Sequence, residues 1–260
     1  MPRCPRCPIL LAALAVFTAT MFTATGPLLM AADGGVVGRS PTAVSYIIVG
    51  FAGGFVRHDN PRHGPVRLAQ RIRPDLPAGD SVQVFENRHR KAAYKSILRL
   101  LDINHDGVLS NQEKSQARII LFGHSWGASA VVLLSRELGR AGIPVLLTVQ
   151  VDSVEKPWQS DRVIPDNVAD AVNFYQPHGL IHGRAKITAA DDSKTQIMGN
   201  YRFDYQKDPV QCHGASWFQR LFTPSHMQSD CDPNLWSQVE GLVRQRIEPP
   251  VATAGAIPSL

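Results

Sequence analysis

The stretch Arg118-Ile119-Ile120-Leu121-Phe122-Gly123-His124-Ser125-Trp126-Gly127, running on into Ala128 to Arg140, decides how this chain is read. Its apolar, β-branched opening up to Phe122 predicts a buried strand. The spacing of apolar residues from Ala128 onward predicts a helix. Between them stands Ser125, with a glycine two residues away on either side. A serine held on a sharp strand-to-helix turn needs small neighbours, because the backbone there is strained and packs closely. The helix that follows offers amides and a favourable field to a negatively charged oxygen at its N-terminus. Ser125 is therefore the candidate nucleophile, and His124 reads as a packing residue.

Working outward, the pattern alternates. Ala43 to Val49 is a β-branched run stopped by Gly50, and Ser81 to Phe85 predicts a second strand. A short helix is expected over Pro65 to Ile72. Arg90 to Leu101 carries apolar residues at Ala93, Ile97, Leu98 and Leu101, which is helical spacing. Beyond the central stretch, Pro144 to Val151 and Val168 to Tyr175 predict strands and Asn234 to Ile247 a closing helix. Gly179 to Tyr205 is the candidate cap. Strands alternating with helices imply a parallel sheet covered on both faces, an α/β sandwich. At 260 residues and 44% hydrophobic, one such domain over residues 43–248 accounts for the chain.

These features together resemble the α/β-hydrolase family in a secreted, bacterial-type form, and Arg118 to Ala130 resembles its nucleophile elbow. The resemblance implies the chain order nucleophile, acid, base, with an oxyanion hole made by two backbone amides. One amide would be that of Trp126. The other would follow the first strand, in Gly50-Phe51-Ala52-Gly53-Gly54, with Phe51 or Ala52 favoured. Most members place the acid after the second strand beyond the nucleophile, but here that strand ends at Gln176-Pro177-His178, with no carboxylate until Asp191. Asp152 closes the first of those strands, a position some members use, and is the expected acid. His213 and His226 both lie downstream; His226, in the loop before the closing helix, is the expected base. The activity implied is cleavage of carboxylic esters or thioesters in small-molecule or lipid-like acyl substrates, with no cofactor for catalysis. A catalytically silent calcium-binding protein on the same scaffold is the alternative.

A second motif precedes the nucleophile strand. Asp102-Ile103-Asn104-His105-Asp106-Gly107-Val108-Leu109-Ser110-Asn111-Gln112-Glu113 resembles the Ca²⁺ loop of an EF-hand at every diagnostic position. A hard cation takes oxygen ligands. Asp102, Asn104 and Asp106 would supply side-chain oxygens, Val108 a carbonyl, Ser110 a direct or water-mediated contact and Glu113 a bidentate carboxylate, with Gly107 at the sharp turn. A helix from Gln112 to Ala117 is expected to leave the loop. One such loop leading straight into the nucleophile strand suggests a structural clamp.

The N-terminus joins Arg3 and Arg6 to an uncharged stretch from Pro8 to Ala32 that contains an apolar run, the order of a secretory signal. Residues 1–32 are read as a cleaved signal or, if uncut, a membrane anchor. Residues 33–42 are read as a linker and 249–260 as a disordered tail. A secreted or periplasmic location follows, with membrane contact only if the segment is retained. Of four cysteines, Cys4 and Cys7 fall in that segment, which leaves Cys212 and Cys231 to pair in an oxidising compartment. The formal charge is +5, and Arg3 and Arg6 supply two of these. The other basic residues are scattered among acidic ones, which argues against nucleic-acid binding.

Overall fold

The computed structural model describes residues 45–212 and 223–247. The segments read as signal, linker and tail lie outside the described residues, as does His213. No helix among the described residues is long and apolar enough to cross a membrane.

Eight strands and six helices follow one another along the described chain. β1 (Tyr46–Ala52) leads to α1 (Gly64–Ile72), β2 (Ser81–Glu86), α2 (Arg90–Leu101), the short α3 (Asn111–Ser115), β3 (Arg118–His124) and α4 (Trp126–Arg140). Then come β4 (Val145–Val151), β5 (Val163–Ile164), β6 (Val168–Tyr175), β7 (Thr188–Ala189) and β8 (Gln196–Arg202). α5 (Pro224–Cys231) and α6 (Pro233–Ile247) complete the set. Six strands form one sheet in the order β2-β1-β3-β4-β6-β8, and every pairing in it is parallel. β5 and β7 form a separate two-stranded parallel pair.

The strands read as β-branched runs are buried on both faces because a parallel sheet needs helical crossovers, and these cover it. Alternate residues of β1 show the division. Ile47, Val49 and Phe51 pack with Ala93, Ile97 and Leu101 of α2 and Val131, Leu134 and Leu138 of α4. Ile48 packs on the other side, with Leu68, Ala69 and Ile72 of α1 and Leu235, Trp236, Val239 and Val243 of α6. From β1 the chain steps to β2 by way of α1 on one face. It then returns past β1 to β3, and on to β4, by way of α2 and α4 on the other. Connections of one hand require this exchange of faces when the direction of travel reverses. The reversal opens a crevice at the carboxyl ends of β1 and β3, the place where open α/β sheets receive ligands.

The three-layer α/β sandwich is thus the architecture expected from the sequence, with two corrections. Residues 179–205 do not form a cap. They contain β7 and β8, and β8 hydrogen-bonds to β6 as the outer strand of the main sheet. Its sequence, Gln-Ile-Met-Gly-Asn-Tyr-Arg, hides the strand because an edge strand exposed to water has no need of a continuous apolar run. The segment before the closing helix, read as a loop, contains α5.

Candidate active site

The Ser125 turn forms as the motif requires. β3 ends at His124, α4 begins at Trp126, and Ser125 between them has φ +57° and ψ −126°. A non-glycine residue held there costs on the order of 1–3 kcal/mol and persists only where its surroundings fix it. Here they do. The Ser125 amide donates to the Val151 carbonyl at 2.9 Å, and the Ser125 carbonyl accepts from Ala128 and Ser129 at 3.0 and 3.2 Å. The motif glycines allow close approach: a Cβ on Gly127 would collide with the Phe51 carbonyl, and one on Gly123 would lie 2.5 Å from the Gly127 oxygen.

The structure brings Ser125, His226 and Asp152 together from three separate parts of the chain. His226 Nε2 lies 2.9 Å from Ser125 Oγ, and His226 Nδ1 lies 2.7 Å from Asp152 Oδ2. The sequence separations are 101 and 74 residues. All three are buried, Asp152 completely. Asp152 closes β4 with φ +45°. Its Oδ1 accepts from the Gly183 amide at 2.5 Å and from the Gln176 amide at 3.3 Å. Its Oδ2 also accepts from Gln176 Nε2 at 2.9 Å and from Ser229 Oγ at 3.3 Å. A carboxylate can only accept, so His226 Nδ1 must carry the proton in this pair and Nε2 faces Ser125 as an acceptor. Asp191, the first carboxylate after β6, instead accepts from Ser193 and pairs with Lys194.

His226 belongs to α5 rather than to a loop. α5 ends at Cys231, which is bridged to Cys212 with a Cα–Cα distance of 5.8 Å, so the bridge expected from the sequence anchors the helix that carries the imidazole. The ring of His124 stacks on that of His226 with centroids 4.8 Å apart. His124 Nε2 lies 3.1 Å from Ser229 Oγ, and the Ser229 hydroxyl lies 2.8 Å from the His226 carbonyl. Burial lowers the His124 pKa to about 4, against the opposing pull of Asp230, so the ring is neutral near pH 7.

The expected oxyanion donors divide. Trp126 is the first residue of α4, where a backbone amide has no intrahelical acceptor. Phe51 and Ala52 are instead the last residues of β1. Phe51 pairs with Phe85 and Gly123, Ala52 pairs with Glu86, and both are wholly buried. The backbone of Gly53 lies beside Ser125, where a Cβ would come within 2.8 Å of Ser125 Cβ. Asn87 holds this turn, with Nδ2 donating to the carbonyls of Ala52 and Gly54 at 3.3 and 2.5 Å. Lys156 in turn donates to Asn87 Oδ1 at 2.6 Å and lies 4.8 Å over the Trp126 ring. β1 runs on through Ala52, two residues past Gly50, which puts Phe51 and Ala52 inside the strand and Gly53 just beyond its end.

Ser125 and His226 open on a cavity of about 690 Å³. Phe55, Val56, Trp126, Val154, Ile181 and Met227 give it apolar wall, and Asn60 and His63 give it polar wall. Phe55 packs edge-on to Trp126 with ring centroids 5.6 Å apart. Neither Gln176, Gly183 and Ser229, which hold Asp152, nor Asn87 carried a signal in the sequence, since each acts through a tertiary contact.

No family model and no curated protein matches the chain. Among solved structures it is similar to an acetyl xylan esterase, at 10% identity and a TM-score of 0.39 over 80% of this chain and 100% of that one. It is also similar to a cutinase-like protein from Cryptococcus sp., at 14% identity and a TM-score of 0.36 over 78% and 95% of the two chains. A dienelactone hydrolase from Anabaena variabilis aligns at 13% identity and a TM-score of 0.37 over 78% and 85%. What the site can do chemically follows from its own geometry.

The residues expected to hold calcium lie apart from this cavity. α2 ends at Leu101, Asp102 follows as its C-cap, and Ser110 caps α3, which is shorter than the expected Gln112 to Ala117 helix. Within the loop His105 has φ +59° and Gly107 φ +81°. Asp102 Oδ2 accepts from the Gly107 amide at 3.0 Å, and Asp106 Oδ1 from the Val108 amide at 2.7 Å. The Asn104 amide group donates to Asp106 Oδ2 at 2.9 Å. Glu113 Oε1 accepts from the Ile103 amide at 2.9 Å, and Oε2 from the Ser110 amide and hydroxyl, both at 2.8 Å. These bonds lower the Glu113 pKa, the Ser110 amide foremost. Asp102 Oδ1 is buried without a hydrogen-bond partner among the described residues.

Proposed function

We propose that the protein is a serine hydrolase of the α/β-hydrolase type that cleaves carboxylic esters or thioesters, with Ser125 as nucleophile, His226 as base and Asp152 as the group that orients the base. The observation that carries this reading is the chain of two hydrogen bonds, 2.9 Å and 2.7 Å, on a serine held at positive φ. His226 Nε2 takes the Ser125 proton as Oγ attacks the carbonyl carbon, and Asp152 stabilises the imidazolium that forms. The proton then passes to the departing alcohol or thiol. A water activated by the same nitrogen adds to the acyl-enzyme, and Ser125 is released with the acid. The Trp126 amide and the Gly53 to Phe55 backbone are the proposed donors to the oxyanion. The apolar part of the cavity suits small or lipid-like acyl groups. A silent binding role gives no reason for a strained serine paired to a buried histidine and carboxylate. Hydrolysis of a series of acyl esters by the wild type, lost in Ser125→Ala with an unchanged melting temperature, tests the reading; turnover retained in that variant would refute it.

Calcium is proposed as a structural ion held by Asp102, Asn104, Asp106, Val108, Ser110 and Glu113. The donor set is all oxygen, and the buried, unpartnered Asp102 oxygen fits a cation. Bound there, it would tie the end of α2 to α3, which leads into β3, and would leave the chemistry to Ser125. Export to an oxidising compartment is proposed from the N-terminal segment together with the Cys212–Cys231 bridge.

A further inference from the structure

A second histidine–carboxylate pair opens on the same cavity. His63 Nδ1 is hydrogen-bonded to Asp230 Oδ2, and Asp230 Oδ1 accepts from the Gly64 amide at 3.0 Å. Arg67 donates to the Asp230 carbonyl at 3.0 Å. His63 lies at the start of α1 and Asp230 near the end of α5, 167 residues apart, so the pair is assembled by the fold. Asp230 also stands 3.6 Å from His124 Nδ1, which places it beside the ring that stacks on His226.

The chemistry of this pair is one-sided. Asp230 is buried, yet His124 and His63 outweigh the cost of burial and hold its pKa at about 2, so it is a carboxylate at any working pH. A carboxylate accepts only. His63 in its neutral form therefore carries its proton on Nδ1 and presents Nε2 as an acceptor. No hydrogen bond among the described residues engages that nitrogen, and His63 lines the cavity together with Asn60, Ser125 and His226. An acceptor held in this way on the wall of the cavity that Ser125 also lines selects a donor, and an ester substrate can offer one as a hydroxyl.

We propose that His63, oriented by Asp230, binds a hydroxyl group next to the scissile ester, so that the enzyme prefers hydroxylated esters to their plain counterparts. The proposal rests on the serine-hydrolase reading above and deepens it. The hydroxyl could belong to the acyl part or to the alcohol part, and matched substrates separate the two.

The test compares kcat/KM for two pairs of esters, 3-hydroxybutyrate against butyrate on one alcohol, and glycerol against propyl as the alcohol of one acid. The expected result is a preference of about tenfold or more for the hydroxylated member of one pair, since a site built for a hydroxyl leaves its acceptor unpaired when the hydroxyl is missing. The pair that shows it assigns the side. His63→Ala should bring that ratio to about one. Should His63→Ala fail to fold, His63→Asn decides, because asparagine suits the start of a helix and lacks the imidazole. Equal rates within both pairs for the wild type, or a ratio unchanged in the variants, would overturn the assignment of His63 alone. Absence of hydrolysis of all four esters would bring down the underlying hydrolase reading with it.

Discussion

Replacing Asp152 by asparagine removes one charge from the most tightly held group of the site. Five hydrogen bonds converge on its carboxylate, from His226, Gln176 Nε2, the Gln176 amide, the Gly183 amide and Ser229. An asparagine side chain has one oxygen to offer. If it faces the Gly183 and Gln176 amides, its amino group meets Gln176 Nε2 and His226 Nδ1. His226 then accommodates it by moving its proton to Nε2, where the ring can no longer take one from Ser125. An interaction of this kind is worth about 10⁴ in turnover, or about 5.5 kcal/mol of transition-state stabilisation. The buried donor left unpaired costs about 1–3 kcal/mol of stability, a fall of roughly 2–12 °C in melting temperature for a domain of this size. The variant should thus be folded and nearly inactive. Steady-state hydrolysis of a chromogenic ester, with a melting curve on the same sample, measures both. Activity within tenfold of wild type, with Asp191→Asn inactive instead, would refute the role given to Asp152.

Three further outcomes are expected. Chelation of Ca²⁺, or Glu113→Gln without chelator, should lower the melting temperature; at about 100 times Kd a bound ion adds about 2.7 kcal/mol, and calorimetry without a binding signal at millimolar Ca²⁺ would remove the site. Replacing Cys212 and Cys231 together by serine should cost about 3 kcal/mol for a crosslink spanning 19 residues and slow turnover through α5, whereas an unchanged denaturation midpoint would show the bridge to be inert. The His124 ring has its pKa lowered from 6.5 to about 4 by burial, so the unfolded chain binds more protons between those values. Stability should therefore fall as pH drops from about 6.5 to about 4, by about 3 kcal/mol at most, and His124→Gln should flatten that slope. Asp230, held at about pKa 2, contributes above the ordinary carboxylate range and loses its contribution only on further acidification, which leaves the His124 window distinct.

The sheet was legible where burial on both faces wrote itself into the sequence. β1, β3 and β4 are mostly apolar and almost wholly buried, and Ser125 is marked by local constraints of the turn that the chain cannot meet otherwise. Asp152 and His226 were legible through chain order and the family resemblance, since nothing local sets Asp152 apart from Asp191 or His226 from His213. β8 was not legible, because a half-exposed edge strand with Gly199 and Asn200 in its middle carries a weak period-two signal. α5 was hidden by its polarity; its buried residues are Ser225, His226, Ser229 and Asp230, which bury for hydrogen bonding rather than apolar packing. The His63–Asp230 pair and the grip of Gln176 and Gly183 on Asp152 are contacts between distant segments, which periodicity and local motifs do not encode.

The most direct measurement of the central claim is reaction of the purified protein with a fluorophosphonate, followed by mass spectrometry of the labelled peptide. A strained, His226-activated Ser125 should take up about one equivalent on Ser125 itself. Labelling should vanish in Ser125→Ala and slow sharply in His226→Ala. No adduct on the folded wild-type protein, or an adduct on a different serine, would contradict the assignment of Ser125 as the nucleophile.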